Sequence, residues 1–269
     1  MNPLLEVTRP SVCFLAIFGM VIGLSLINIP QSLWIFPILS AAFICAAGNA
    51  INDYFDAEID RINRPKRPIP SGRLSRNSVR VLYIGLNFMG LIFAYFVSLN
   101  FFIFALFNSG VLYFYSKSLK KTVLGNLADT YLAVAVFIAP ALILGGFSGI
   151  LASPLLVLAY IPFFANYSRE IIKDIEDAEG DRALGAKTLP ITLGKGPAFL
   201  FAKALLLVAA ASLFAPYLSG IFPEGYLIFA VFGATGCLHI ISLDNAPKMQ
   251  KLLKALMFYV LGVFLAFSI

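Results

Sequence analysis

The chain has 269 residues, of which 60% are hydrophobic, 14% aromatic and only 13% charged, with a mean hydropathy of +0.88. That composition excludes an ordinary soluble domain or a disordered segment and points to a bilayer. A net charge of +6 could suit nucleic acid, but the placement of the cations described below excludes that partner.

A helix that crosses a hydrocarbon core of about 30 Å needs roughly 20 apolar residues. Such runs recur near 11–28, 33–55, 79–97, 99–116, 124–145, 153–172, 196–217, 224–243 and 252–268. They predict an all-α, polytopic membrane protein with nine transmembrane helices. No block large enough for a soluble domain lies between them, so residues 1–269 are read as a single membrane-embedded domain. The first run lacks a strongly basic leader and a small-residue cleavage site and is read as a retained span. Pro140 and Pro162 fall inside the fifth and sixth runs, where a kink is tolerated if neighbours satisfy the freed backbone groups. Cys13, Cys45 and Cys237 sit inside apolar runs without metal or disulfide spacing and read as packing residues.

The basic residues fall on alternate connections. Arg9 precedes the first run. Arg61, Arg64, Lys66, Arg67, Arg73, Arg76 and Arg80 follow the second, and Lys117, Lys120 and Lys121 follow the fourth. Arg169, Lys173, Arg182, Lys187, Lys195 and Lys203 surround the sixth connection, and Lys248, Lys251 and Lys254 follow the eighth. These are all 20 Lys and Arg residues; the connections near 29–32, 98–100, 146–153 and 218–224 hold none. The positive-inside rule then places the N-terminus in the cytoplasm and, with nine spans, the C-terminus outside.

Two acidic stripes carry the chemistry. Asn49, Asp53, Asp56 and Asp60 step by four, three and four residues, and Glu170, Asp174, Asp177 and Asp181 repeat the same steps. Each set lies on one helical face. Like charges so arranged repel, and a bilayer penalises unpaired carboxylates. One reading makes each stripe a solvated helix end balanced by Arg and Lys; the other makes it a divalent cation site. The repetition, with a basic loop behind each stripe, favours the second. Mg2+ suits hard oxygen ligands and commonly bridges one or two carboxylates to substrate phosphates. Behind the first stripe lies Arg64-Pro-Lys66-Arg67-Pro-Ile-Pro-Ser-Gly72-Arg73, and behind the second Gly185-Ala-Lys187-Thr188-Leu-Pro190. Arg offers phosphate a bidentate fork and Lys a mobile point charge, which nominates Lys66, Arg67 and Lys173. Arg76, Arg80 and Lys248 to Lys254 are equally explained as topological anchors.

These residues resemble the UbiA superfamily of intramembrane prenyltransferases. Asn52-Asp53-Tyr-Phe-Asp56-Ala-Glu-Ile-Asp60 matches the family's NDxxDxxxD, and Arg67-Pro-Ile-Pro-Ser-Gly72 is similar to its RPLPSG segment. Asp177-Ala-Glu-Gly-Asp181 matches DxxxD, and Gly185-Ala-Lys187-Thr188 is similar to GxKT/S. The resemblance implies helices around a central cavity, capped by the two motifs on the cytoplasmic side and open to lipid for an isoprenoid tail. It implies a prenyl diphosphate donor, a lipid-like acceptor, surrounding membrane lipid and no evident protein partner. Asp53, Asp56, Asp177 and Asp181 would be catalytic, and Asn49, Asp53, Asp56, Asp60, Asp174, Asp177 and Asp181 would ligate Mg2+ directly or through water. Lys66, Arg67, Lys117, Lys120, Lys121 and Lys173 would bind the diphosphate, and Arg9 the acceptor. Asn126 and Asp129 are polar for a span; facing the cavity they would bind the acceptor with Arg9, and otherwise they are interface residues. His239, the sole histidine, reads as a packing residue.

The acceptor is harder to read. Members of the family prenylate aromatic acids, porphyrin-type rings, or the hydroxyl of geranylgeranylglyceryl phosphate in archaeal ether-lipid synthesis. The run from Ser168 to Asp181 looks most like the ether-lipid members, with 4-hydroxybenzoate-type transfer as the alternative. A cation transporter would instead carry acids near the midplane, and a CDP-alcohol phosphotransferase would place Gly and Arg between the aspartates.

Overall fold

The computed structural model describes residues 2–183 and 185–268, and these are helical almost throughout. In chain order the helices are α1 (Pro3–Thr8), α2 (Pro10–Leu26), α3 (Ile35–Asn63), α4 (Arg76–Val97), α5 (Leu99–Lys117), α6 (Val123–Ile138) and α7 (Ala141–Ala152). They continue with α8 (Leu155–Ala183), α9 (Leu189–Thr192), α10 (Lys195–Ser212), α11 (Ala215–Leu218), α12 (Tyr226–Ile241) and α13 (Ala246–Ser268). Single turns of 3-10 helix at Gln31–Leu33 and Leu119–Lys121 join neighbours.

Among the described residues, six helical segments are long and apolar enough to cross a membrane: Gln31–Ile62, Arg76–Val97, Leu99–Lys117, Leu155–Arg182, Lys195–Leu218 and Ala246–Ser268. Four apolar helices are shorter, namely Pro10–Leu26, Val123–Ile138, Ala141–Ala152 and Tyr226–Ile241. A 16-residue helix extends only about 24 Å, which falls short of the core thickness. Exposed Phe88, Phe96, Leu144, Leu200, Ile228 and Phe232 present the apolar surface that lipid, not water, solvates. The chain is therefore a multi-pass membrane protein.

The acidic stripes are helical, as their spacing requires: α3 and α8 are each 29 residues long and carry apolar run and stripe on one continuous axis of about 43 Å. No helix breaker separates the two parts of either. Two sequence expectations change. The fifth run does not form one kinked span. It ends at Ile138, turns through Ala139 and Pro140, and restarts as α7, because Pro140 offers no N–H to the preceding turn. Finally, residues read as an outer connection near 146–153 are helical to Ala152, with a break at Gly146 (φ 58°, ψ −149°). Only glycine adopts that backbone cheaply, and a Cβ there would also stand 2.7 Å from Asn100 Nδ2. By contrast Pro162 lies within α8 without ending it.

The chain divides into two compact units. The first comprises Met1–Ser118 with Ala139–Ile150. Here α3 packs along α4, α2 and α5, and Val7 of α1, Ala50 of α3 and Val79 of α4 form a fully buried cluster. Ile69 and Leu74 pack against that cluster, so the segment behind the first stripe is anchored by its own apolar residues. The second unit comprises Leu119–Ile138 with Leu151–Ile269. Its centre is α8, packed against α10, α6 and α13, with Ile171, Ile172, Ala198, Ala202 and Leu206 wholly buried.

Candidate active site

In the first unit the stripe on α3 meets cations from two directions. Asp53 and Asp60 are 4% and 5% exposed, so each carboxylate needs a partner. Arg67 supplies one to both: its Nη1 lies 3.2 Å from Asp53 Oδ1 and 2.6 Å from Asp60 Oδ2. Arg9 pairs with the same Asp53 oxygen. Arg9 is also the junction between α1 and α2, held at φ 48° and ψ 69° immediately before Pro10, which disfavours the right-handed helical region for its predecessor. A non-glycine residue in left-handed backbone costs of order 1 kcal/mol, which the buried ion pair offsets. Asn49 turns its amide to the end of α1, donating from Nδ2 to the Thr8 carbonyl at 3.0 Å. Asp56 is half-buried on the same face.

The loop behind this stripe is clasped to α1. Arg73 donates from Nη1 to Glu6 Oε2 at 2.7 Å and from Nη2 to Oε1 at 3.1 Å, and its Nη2 also reaches the Lys66 carbonyl at 2.5 Å. The Arg73 guanidinium holds the Glu6 carboxyl below the usual carboxylate range. The clasp fixes the backbone that presents exposed Lys66 and half-buried Arg67. Arg76, equally explained as a topological anchor, donates to the Tyr54 carbonyl at 3.1 Å and lies 4.6 Å from the Tyr54 ring centroid. Lys117 closes α5 with its Nζ 5.8 Å from the Tyr113 ring centroid.

In the second unit the stripe on α8 sits beside a polar network that sequence reasoning saw only in part. Asn126 of α6 donates to Asp174 Oδ2 at 2.7 Å. One turn along α6, Asp129 accepts from Asn166 Nδ2 at 3.2 Å, and Asn166 Oδ1 accepts from Arg169 Nε at 3.3 Å. Glu170, at 3% exposure, is paired with Arg169 and, at 2.9 Å, with Lys173. Two cations therefore occupy the oxygens of Glu170, and Lys173 is held against it. Asp177 is exposed and Asp181 half-buried near the end of the helix. Asn166 falls inside the sixth apolar run and Arg169 counts in the sequence only as a cation flanking the sixth connection; the signal for both is the string of polar residues Asn166, Ser168 and Arg169 before the stripe begins.

The lysine cluster and the loop behind the second stripe come together. Lys187 donates its backbone N–H to the Lys121 carbonyl at 2.7 Å, pairing residues 121–122 with residue 187. Lys120 is half-buried, and Lys121 and Lys187 are exposed. The turn that carries Lys120 and Lys121 lies directly on Gly125: a Cβ there would fall 2.6 Å from the Leu119 oxygen and 2.8 Å from Lys120 Cα. Thr188 Oγ1 is buried without a hydrogen-bond partner, an unmet donor and acceptor in this loop.

Among the described residues no three acidic, histidine or cysteine side chains converge as a ready metal cage. That suits Mg2+, which takes one or two carboxylates and completes its shell with water and phosphate oxygens. Of the carboxylates expected to ligate Mg2+, Asp177 is exposed and Asp56 and Asp181 are half-buried, while Asp53 and Asp60 are buried against their arginine partners.

The model of the UbiA prenyltransferase family matches residues 12–262. Digeranylgeranylglyceryl phosphate synthase of Methanopyrus kandleri is 39% identical over 274 residues, covering 99% of this chain and 99% of its own length. A solved digeranylgeranylglyceryl phosphate synthase structure superposes with a TM-score of 0.82 at 33% identity, over 99% of this chain and 97% of that one. A UbiA homologue from Archaeoglobus fulgidus bound to GPP and Mg2+ shares the fold, with a TM-score of 0.75 at 21% identity over 99% of this chain and 98% of that one. The acidic stripes, their basic loops and this full-length likeness together identify the chain as a membrane prenyltransferase of the UbiA family.

Proposed function

We propose that the chain transfers a geranylgeranyl group from geranylgeranyl diphosphate to the free hydroxyl of geranylgeranylglyceryl phosphate, an ether-forming step of archaeal lipid synthesis. The observation that carries this reading is the likeness, over 99% of both chains, to a protein named for that product. The cation-rich loops suit it, since donor and acceptor both bring phosphate that needs neutralising. In this reading nine helices cross the membrane, with the N-terminus and the site mouth cytoplasmic and the C-terminus outside.

Asp53 and Asp56 of the first unit, supported by Asn49 and Asp60, and Asp177 and Asp181 of the second, supported by Asp174, are the residues that would hold Mg2+ for the diphosphate. The bound ion supplies positive charge to the leaving oxygens. Arg67, Lys66, Lys117, Lys120 and Lys121 add charge-assisted hydrogen bonds, the fixed electrostatic stabilisation that dominates catalysis when charge moves onto oxygen. Lys173 contributes its charge while anchored on Glu170. Arg67 and Arg9 keep buried Asp53 neutralised until substrate arrives, and their guanidinium groups then transfer to phosphate oxygens, Arg9 toward the acceptor.

The test is to supply purified protein with Mg2+ and geranylgeranyl diphosphate, and to offer geranylgeranylglyceryl phosphate in one tube and 4-hydroxybenzoate in another. Ether product in the first tube alone, abolished by EDTA and restored by Mg2+, supports the reading. Product in the second tube alone, or in neither, overturns it.

A further inference from the structure

The polar network of the second unit contains a carboxylate held by a neutral amide. Asp129 lies on α6, in an apolar stretch where an ionisable group is expensive and usually functional. Glu170 is occupied by Arg169 and Lys173, whereas the hydrogen bond that holds Asp129 comes from the neutral amide of Asn166. That amide is itself fixed, since Arg169 donates to Asn166 Oδ1 and Asn166 Nδ2 also reaches Thr130 Oγ1 at 3.5 Å. Asn166 and Thr130 are 3% and 0% exposed. The network thus pins one oxygen of Asp129 through a neutral amide, while Lys173 and Arg169 act on its charge from α8.

Depth fits a reaction at the donor's first carbon. α6 and α8 pair head to tail, so Asn126 meets Asp174 while Asp129 meets Asn166, further from the end that carries Asp177 and Asp181. Three residues of helix place Asp129 about 4.5 Å beyond Asn126. Asp129 therefore lies on the far side of the Asn126–Asp174 contact from Asp177 and Asp181.

Resting on the proposed acceptor chemistry, we propose that the Asp129 carboxylate accepts the proton of the acceptor hydroxyl. The donor C–O bond breaks and its electron pair leaves with the diphosphate. The hydroxyl oxygen forms the new ether bond to the allylic carbon, and its proton passes to Asp129, which releases it to water when product leaves. The charged groups acting on Asp129 are Glu170, Lys173 and Arg169 of α8.

The experiment compares wild-type protein, Asp129→Asn and Asp129→Glu in lipid nanodiscs, with Mg2+, geranylgeranyl diphosphate and geranylgeranylglyceryl phosphate, across a pH series. The expected result is a kcat for Asp129→Asn reduced about a hundredfold or more, the range of general-base contributions, with the donor KM within about twofold. Wild-type kcat falls on the acid side as the base is protonated. Asp129→Glu recovers part of the rate with that acid limb displaced, and the residual rate of Asp129→Asn lacks it. A rate for Asp129→Asn close to wild type, or an unchanged acid limb in that variant, overturns the proposal. So does a donor KM that rises in step with the loss of kcat, which would mark a structural role. Wild-type protein that makes no ether product instead overturns the proposed function itself.

Discussion

Replacing Arg67 by alanine probes the electrostatics of the first stripe most sharply. Its guanidinium is the shared partner of Asp53 and Asp60, at 3.2 Å and 2.6 Å, and both carboxylates are buried. Asp53 keeps Arg9, but Asp60 is left with an uncompensated charge. Removing one partner of a buried pair costs about 3–5 kcal/mol; the lower end applies because one of the two acids stays paired. For a chain of this size about 3 kcal/mol corresponds to a fall in Tm of about 6–12 °C. Thermal unfolding in detergent measures it. Asp60→Asn in the same chain removes the orphaned charge, so the double variant should regain most of the lost stability, a non-additivity that reports direct coupling. Arg67→Ala alone should also raise the donor KM. A Tm within about 2 °C of wild type, which corresponds to about 1 kcal/mol or less, with additive effects in the double variant, would refute this account of the stripe.

The Glu6–Arg73 clasp should loosen with acid. Because the Glu6 carboxyl is held below its usual range, its contribution is present above the unfolded value near 4.3 and is lost as pH falls through the lower folded value. Hydrogen exchange of residues 64–75 should therefore quicken, after correction for intrinsic rates, as pH drops below about 4. Arg73→Glu should produce the same loosening at neutral pH, and Glu6→Arg with Arg73→Glu should reverse it; equal protection in all of these would refute the clasp. Gly125→Ala places a Cβ against the Leu119 oxygen and the Lys120 backbone, neither of which is a flexible side-chain end. It should cost about 1–3 kcal/mol as overpacking and displace Lys120 and Lys121, seen as a lower Tm and a higher donor KM. A wild-type Tm in that variant would show that the turn has room to move.

Much of the fold was legible because bilayer crossing writes itself as hydropathy: the apolar runs fall on α2 to α6, α8, α10, α12 and α13. The lengths were not, since hydropathy drops where the acids begin although α3 and α8 continue as helix. Helix propensity does not fail at Asp53 or Asp174; only the solvent preference changes. Pro140 was visible in the sequence, but whether a proline kinks or ends a helix depends on what satisfies the freed carbonyl. In the site, spacing alone brought Asp53 and Asp60 to one face. The partnership of Arg9 with Asp53 spans 44 positions and depends on α1 turning back over α3. The Asp129–Asn166 contact likewise joins α6 to α8 over 37 positions. Such contacts come from packing, which no local pattern encodes.

The central claim is that both acidic stripes take part in Mg2+-dependent cleavage of the prenyl diphosphate. The most direct measurement is steady-state ether formation by Asp53→Ala and Asp177→Ala, each checked for an intact unfolding transition in detergent. Loss of turnover in both folded variants, unrelieved by excess Mg2+, is the predicted result. A near-normal rate in either one would show that its stripe is structural and would contradict the account.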